Sequence, residues 1–224
     1  MSGDAASCGV TVGVMARAPT PGHCKTRLSS ALDPIRAAAL YRAMLLDTLD
    51  AMGRVSGIRK VVLAAPEYDG VSILRSLVPP SWEVMPQRGT GLGERLTHGF
   101  ADLAAPAVVL VSSDSPTLPV AALAAAFESF SGRRRALLGP CEDGGYYLIG
   151  LTTPQPGVLR DIAWSTPLVL EQTRERMREL GLECHELPVA YDVDTPADLE
   201  RFRAELSHHP ELAPRCATFF ADQP

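Results

Sequence analysis

Short β-branched runs alternate with stretches of helical period along this chain, and that alternation constrains its fold more than any other feature. Residues 9–16 (GVTVGVMA) are Val-rich and end at a Pro/Gly loop, the pattern of a strand covered on both faces in a parallel sheet. After the loop at 17–30, Asp33-Pro34 supplies an N-cap with Pro at the first helical position. Ile35, Ala38, Leu40, Leu45, Leu46 and Leu49 then give the apolar stripe of a long helix ending near Gly53. The spacing predicts strands at 60–65, 82–85, 107–111, 136–139 and 146–151, with helices at 71–77, 91–103 and 119–130. Thr166-Pro167 reads as the cap of a helix running to Leu180 and stopped by Gly181, and Thr195-Pro196-Ala197-Asp198 opens a last helix to about Leu206. Repeated β-then-α order argues for a mostly parallel, doubly wound α/β sheet whose ligands collect beyond the carboxyl ends of the strands. Residues 207–224 show no sustained period, so the expectation is one domain over 1–206 and a loosely specified tail.

A chain of 224 residues with 46% apolar and 21% charged residues can bury a substantial core without disulfides. Its cysteines, Cys8, Cys24, Cys141, Cys184 and Cys216, are odd in number and never spaced C-x-x-C, which suggests neither a disulfide framework nor a zinc site. The first residues lack a basic stretch followed by an apolar core, and no apolar run could span a bilayer. The expectation is a cytoplasmic protein without a membrane partner. A formal charge of −5 also argues against nucleic acid as a partner, because such binding relies on a basic face.

Five segments could carry chemistry. In the loop after the first strand, Gly22 allows close approach of a ligand while Lys25 and Arg27 place two cations where phosphates would sit; the alternative is a solvated loop with ordinary surface charges, and His23, with no second His or Cys at metal-site spacing, reads as a solvated loop residue. Ser112-Ser113-Asp114-Ser115-Pro116 leaves a buried strand, so Asp114 stands where Mg²⁺ could bridge it to phosphate oxygens, or else caps the following turn. In the stretch 139–150, Gly144 and Gly145 permit a tight turn with amides open to a ligand; alternation sends one of Tyr146 and Tyr147 to the site and the other to the core. That stretch also reads as a plain hairpin with an acidic lead-in, and Cys141 has no visible base to make it a nucleophile. Asp192 and Asp194 flank Val193 and so lie on the same side, where at least one could complete an ion's coordination; Asp194 could instead favour the positive helix terminus. Finally, Gln87 leads into Gly89, Gly91 and Gly93 at the opening of a helix, whose amides could meet a base or phosphate.

Taken in order, these segments resemble the DUF2064 family of GT-A-like transferases, also called selenodomain-associated transferases, over about residues 10–206. The resemblance is carried by Pro21-Gly22 with Lys25-Thr26-Arg27-Leu28, Gln87 with Gly91-Leu92-Gly93-Glu94-Arg95, Asp114-Ser115-Pro116, Glu142-Asp143-Gly144-Gly145-Tyr146-Tyr147, Trp164-Ser165-Thr166-Pro167 and Asp192-Val193-Asp194-Thr195-Pro196. It implies a nucleotide-diphospho-sugar transferase fold with a Rossmann-like mixed sheet, similar to phospholactate and molybdenum-cofactor guanylyltransferases. By that likeness Lys25 and Arg27 would hold the nucleotide's phosphates, within a nucleotide site made with Ala16, Arg17, Gly22, Gln87, Gly91, Gly93 and Ser113. Asp114 with Asp194, and Asp192 beside them, would bind Mg²⁺ or Mn²⁺. Glu142, Asp143, Gly144, Gly145 and Tyr146 would line the acceptor side, with Asp143 counted among the catalytic groups alongside Lys25, Arg27 and Asp114. The expected reaction is nucleotidyl transfer from an NTP to a phosphorylated small acceptor with loss of pyrophosphate. Glycosyl transfer from an NDP-sugar and a non-catalytic nucleotide-binding role are the alternatives; a homodimer is a candidate assembly that the sequence does not decide.

Overall fold

Inside the sheet lies β1 (Val10–Arg17), an almost wholly buried run that pairs in parallel with β2 (Arg59–Ala65) on one side and β4 (Ala107–Ser112) on the other. These pairings come from a computed structural model that describes residues 9–66 and 69–222; Cys8 and the far end of the tail lie outside the described residues. Outward from β2 lies β3 (Glu83–Pro86), also parallel. Beyond β4 come β6 (Tyr146–Leu151), antiparallel to both its neighbours, then β5 (Arg135–Pro140) and β7 (Glu183–Glu186). The seven strands thus run in the order β3-β2-β1-β4-β6-β5-β7, a mixed sheet whose parallel run extends from β3 to β4.

Alternation along the strands separates two cores. Val10, Val12 and Val14 of β1 pack with Val62 of β2 against α1 (Pro34–Gly53) and α4 (Val120–Ser129), through Leu45, Leu49, Leu123 and Phe127. On the opposite face Val61, Leu63, Leu110 and Ile149 meet Phe100 of α3 (Leu92–Leu103) and Met177 of α5 (Val169–Glu179). The short α2 (Asp69–Leu77) joins β2 to β3.

Helix α1 begins as its sequence indicates, with Asp33 Oδ1 accepting from the N–H of Ile35 (2.9 Å) and Arg36 (3.0 Å) and Pro34 following the cap. Ile35 does not join the apolar stripe; it is 72% exposed and belongs to no core cluster. The helix is buried on two sides. Its Leu45, Leu49 and Met52 face the sheet, while Leu40, Ala43 and Met44 meet Phe202 and Leu206 of α6 (Pro196–His208) and Cys216 of α7 (Pro214–Ala221).

Two expectations need correction, and one strand is added. The tail is not loosely organised: α7 packs on α1, and Asp47, whose side chain is 1% exposed, accepts from the N–H groups of Arg215 (3.1 Å) and Cys216 (2.9 Å) at the start of α7. Its apolar residues are too few for a visible period, and its cap comes from a residue far away in sequence. Helix α5 starts at Val169 with Leu168 as N-cap, because the Thr166 hydroxyl donates to Ala163 O (2.7 Å) and supports the preceding turn. Strand β7 was not foreseen, since Glu-Cys-His-Glu carries no apolar period; it is an exposed edge strand defined by its parallel register with β5. Asp47→Ala should lower the unfolding free energy in urea by about 1–3 kcal/mol, the cost of uncapping a buried helix start. It should also raise amide exchange over residues 214–221.

Candidate active site

The carboxyl ends of β1, β2, β3 and β4 and the amino end of the antiparallel β6 all lie along one edge of the sheet. Chain order reverses there: from β1 the chain runs outward to β2 and β3, then returns across to β4 on the other side. Such a switch point leaves a crevice between the departing loops. Here it is a cleft of about 640 Å³ lined by Ala16, Arg17, His23, Lys25 and Arg27 from the first loop, Gln87 and Arg95 beside them, Ser113 and Asp114 after β4, Tyr146 of β6, and Asp192 and Asp194 ahead of α6.

Two backbone devices bring these distant segments together. Val193, fully buried and in no strand, donates its N–H to Asp114 O (3.2 Å), which docks Asp192 and Asp194 against the exit of β4. Thr195 then starts α6 with a reciprocal capping box to Asp198, so Asp194 is held at the helix entrance.

Charge organises the centre. Lys25 Nζ lies 2.8 Å from Asp194 Oδ1 and 3.3 Å from Asp114 Oδ1, with its side chain only 4% exposed. Burial would lower the pKa of this ammonium, but Asp114 and Asp194 outweigh it and hold it above the usual lysine range. Arg27, 70% exposed, reaches Asp194 Oδ2 at 3.4 Å from the solvent side. Asp192 turns to a different partner, accepting from the Ser115 hydroxyl. Burial pushes its carboxyl up to about 6; the Ser115 hydroxyl opposes that, and Asp114 adds to it. Cys141 is no nucleophile here, because burial, with Asp192 and Asp143 nearby, drives its thiol pKa upward.

Beneath this layer lies a relay that the sequence did not announce. Arg17 N–H donates to Tyr41 Oη (2.9 Å), Tyr41 and Ser113 hydroxyls lie 2.8 Å apart, and Ser113 Oγ donates to Met15 O (3.0 Å). Since the Ser113 hydrogen goes to Met15, Tyr41 must donate to Ser113, and its buried phenol stays protonated. The relay ties the end of β1 to the end of β4 through a residue of α1. Tyr41 follows Leu40 in the helix and reads as one more core residue; nothing in its spacing marks it out.

Of the other expected site residues, some border the cleft and others stand outside its lining. Gly22 occupies an exposed turn at φ 77°. Gly91 is the N-cap of α3, and a Cβ on Gly93 would come 2.4 Å from Trp164 Nε1, so Gly93 serves helix packing. Gln87 lines the cleft, but its side-chain amide donates to Ala16 O (3.1 Å) and Leu63 O (2.6 Å). The turn amides at 144–145 are not open: Gly144 N–H donates to Cys141 O (3.2 Å) and Gly145 N–H to Asp143 Oδ1 (2.9 Å). Gly144, at φ 84°, has room for no side chain because Pro167 O would lie 2.2 Å from its Cβ. Glu142 faces solvent, paired with Arg201. Tyr147 is fully buried and donates to Pro188 O (3.1 Å), Tyr146 packs on the second core with its hydroxyl buried, and both border the cleft, so the two do not divide between site and core. Arg95 joins the lining with its Nε held by Gly89 O (3.0 Å).

A family model described as "Uncharacterized protein conserved in bacteria (DUF2064)" matches residues 48–166, more than half of the 224. The chain belongs to the DUF2064 family. Among curated relatives of this DUF2064 member, phosphoenolpyruvate guanylyltransferase of Rubrobacter xylanophilus is 28% identical over 184 residues, 80% of this chain and 87% of the relative. The protein of the same name from Sphaerobacter thermophilus is 27% identical over 191 residues, 83% and 87% of the two chains. A crystal structure from Desulfovibrio desulfuricans G20, classed with nucleotide-diphospho-sugar transferases, superposes at TM-score 0.85 with 28% identity over 96% of this chain and 94% of that one. The DUF2064 member therefore has the nucleotide-diphospho-sugar transferase fold and is, by kinship and fold alike, a transferase. No helix among the described residues is long and apolar enough to cross a membrane.

Two measurements check the site's architecture. Tyr41→Phe should cost about 1–3 kcal/mol of unfolding free energy, because the Arg17 N–H loses its buried acceptor. Combined with Ser113→Ala, the loss should be smaller than the sum of the single losses, as for any shared network. Asp192 binds its proton more tightly folded than unfolded, so stability falls as pH rises from about 4 through about 6. Asp192→Asn escapes that loss, and should exceed the parent by about 1–3 kcal/mol at pH 7.5 in urea titrations. The advantage should vanish below about pH 4, under the unfolded-state pKa.

Proposed function

We propose that this DUF2064 member is a nucleotidyltransferase that joins the NMP of a nucleoside triphosphate to a phosphorylated small-molecule acceptor and releases pyrophosphate. The observation that carries this reading is the cleft itself, where Arg17, Lys25 and Arg27 converge at a strand switch point with Asp114 and Asp194. Three cations suit a triphosphate, whose leaving portion accumulates charge as the bond to the α-phosphorus breaks. An acceptor phosphate oxygen forms the new bond to that phosphorus while pyrophosphate departs. Because the nucleophile is already anionic, no general base is needed, and the carboxylates are left for another task.

That task is metal binding. Asp114 and Asp194 offer hard oxygens on both sides of one buried cation, the Lys25 ammonium, so a small cation fits between them electrostatically. Among the described residues no third acidic, His or Cys group completes a set, which leaves room for phosphate oxygens. When bound, Mg²⁺ would supply Lewis-acid stabilisation of the attacked phosphate and the departing pyrophosphate.

The guanylyltransferase names of the two relatives make a guanine nucleotide the first donor to try and phosphoenolpyruvate the first acceptor. Glycosyl transfer with inversion would need a base, and the residue expected in that role, Asp143, lies outside the cleft lining with Oδ1 engaged by Gly145 N–H. The test is to incubate the chain with each NTP, Mg²⁺ and a panel of phosphorylated acids, and to follow pyrophosphate. Pyrophosphate requiring both donor and acceptor is expected, with kcat reduced about 10²–10³-fold in Asp114→Ala. NDP release from an NDP-sugar without pyrophosphate would reject the assignment.

A further inference from the structure

Lys25 cannot do two things at once. Its ammonium has three N–H donors and is already directed at both Asp194 (2.8 Å) and Asp114 (3.3 Å), at the floor of the cleft. While it stays there it is not extended toward phosphates in the open part of the cleft, and the two carboxylates are neutralised. A divalent ion entering beside it would set three positive charges against these two carboxylates at van der Waals range. The backbone is built to hold the residue in this pose: Lys25 sits in the left-handed region (φ 49°, ψ 37°), a conformation that side chains with a Cβ adopt at a cost and that points to function. Arg27 does not share the constraint, since it meets Asp194 from solvent at 3.4 Å.

We propose that Lys25 is a resident counter-ion. In the nucleotide-free protein its ammonium fills the position between Asp114 and Asp194, and a divalent cation takes that position only when phosphates draw the ammonium away. This inference rests on the metal-dependent reading given above. It makes metal and nucleotide bind as one unit, each tightening the other by the same factor, as linkage requires. It also gives the free enzyme a closed electrostatic state: without phosphates to receive Lys25, the acidic pair has little attraction for a stray divalent ion.

Mn²⁺ is the probe. Its binding to the full chain is measured by titration calorimetry and by the electron paramagnetic resonance of free Mn²⁺, with and without a non-hydrolysable GTP analogue bridged by a methylene between the α- and β-phosphorus. Without nucleotide, Lys25→Gln should bind Mn²⁺ about 5–150-fold more tightly than the parent, the range of ordinary coupling between sites. Lys25→Arg, which keeps the charge, should remain as weak as the parent, and Asp114→Asn placed on Lys25→Gln should abolish the gain. The analogue should tighten Mn²⁺ binding to the parent by a comparable factor and have a much smaller effect on Lys25→Gln; the parent measurement stands even if a variant fails to fold. Equal Mn²⁺ affinity of parent and Lys25→Gln, with the analogue still promoting binding, would overturn the counter-ion role and leave the metal-dependent reading in place. Failure of every form to bind Mn²⁺ with or without the analogue would remove both.

Discussion

A lysine ammonium with 4% of its side chain exposed has to be neutralised, and in this chain that requirement gathers three segments that would otherwise repel or ignore one another. Lys25 comes from the loop after β1, Asp114 from the exit of β4, and Asp194 from the entrance to α6. No two of these are neighbours in sequence, and each carboxylate without the lysine would face another carboxylate across the cleft. The backbone contact from Val193 to Asp114 and the hydroxyl relay through Tyr41 set the frame, and the charge triad sits on it. Packing and electrostatics therefore act on the same loops, one fixing distance and the other fixing which groups meet.

Sheet topology explains why the site lies where it does. The parallel strands aim their carboxyl ends at one edge, and β6, although antiparallel, contributes its amino end to the same edge through the hairpin from β5. The reversal of strand order at β1 opens the space between their loops. A single antiparallel strand thus extends the cleft wall with Tyr146 without adding a second domain.

The fold was largely legible because most elements carry their own signal: β-branched runs, Asp33-Pro34, and the capping box at Thr195. Elements defined by partners were not. Strand β7 exists through its register with β5, and α7 through a carboxylate of α1. At the site, residue type and position beyond a strand end pointed correctly to Lys25, Arg27, Asp114 and Asp194 as neighbours, since charged groups at a switch point share one space. The turn glycines misled because Gly-Gly signals backbone conformation and says nothing about where the amides are directed; here they close the turn on itself. Asp192 and Asp194 lie two apart and still part company, one to Ser115 and the other to Lys25, because the segment between them is pinned by a tertiary bond. Tyr41 was invisible for the opposite reason, as a polar function hidden inside an apolar helix face.

On its outer side helix α1 meets α6 and α7, which lie far along the chain from it. Synthesis proceeds from the amino end, so the Leu40 and Met44 surface is made before Phe202 and Cys216 and waits for them while β2 to β7 are made in between. The same helix carries Tyr41 under the cleft. Maturation of the site is accordingly tied to the arrival of α6 and α7, and a nascent chain that has already formed β1 and β4 still holds an uncovered apolar flank behind the loop that carries Lys25.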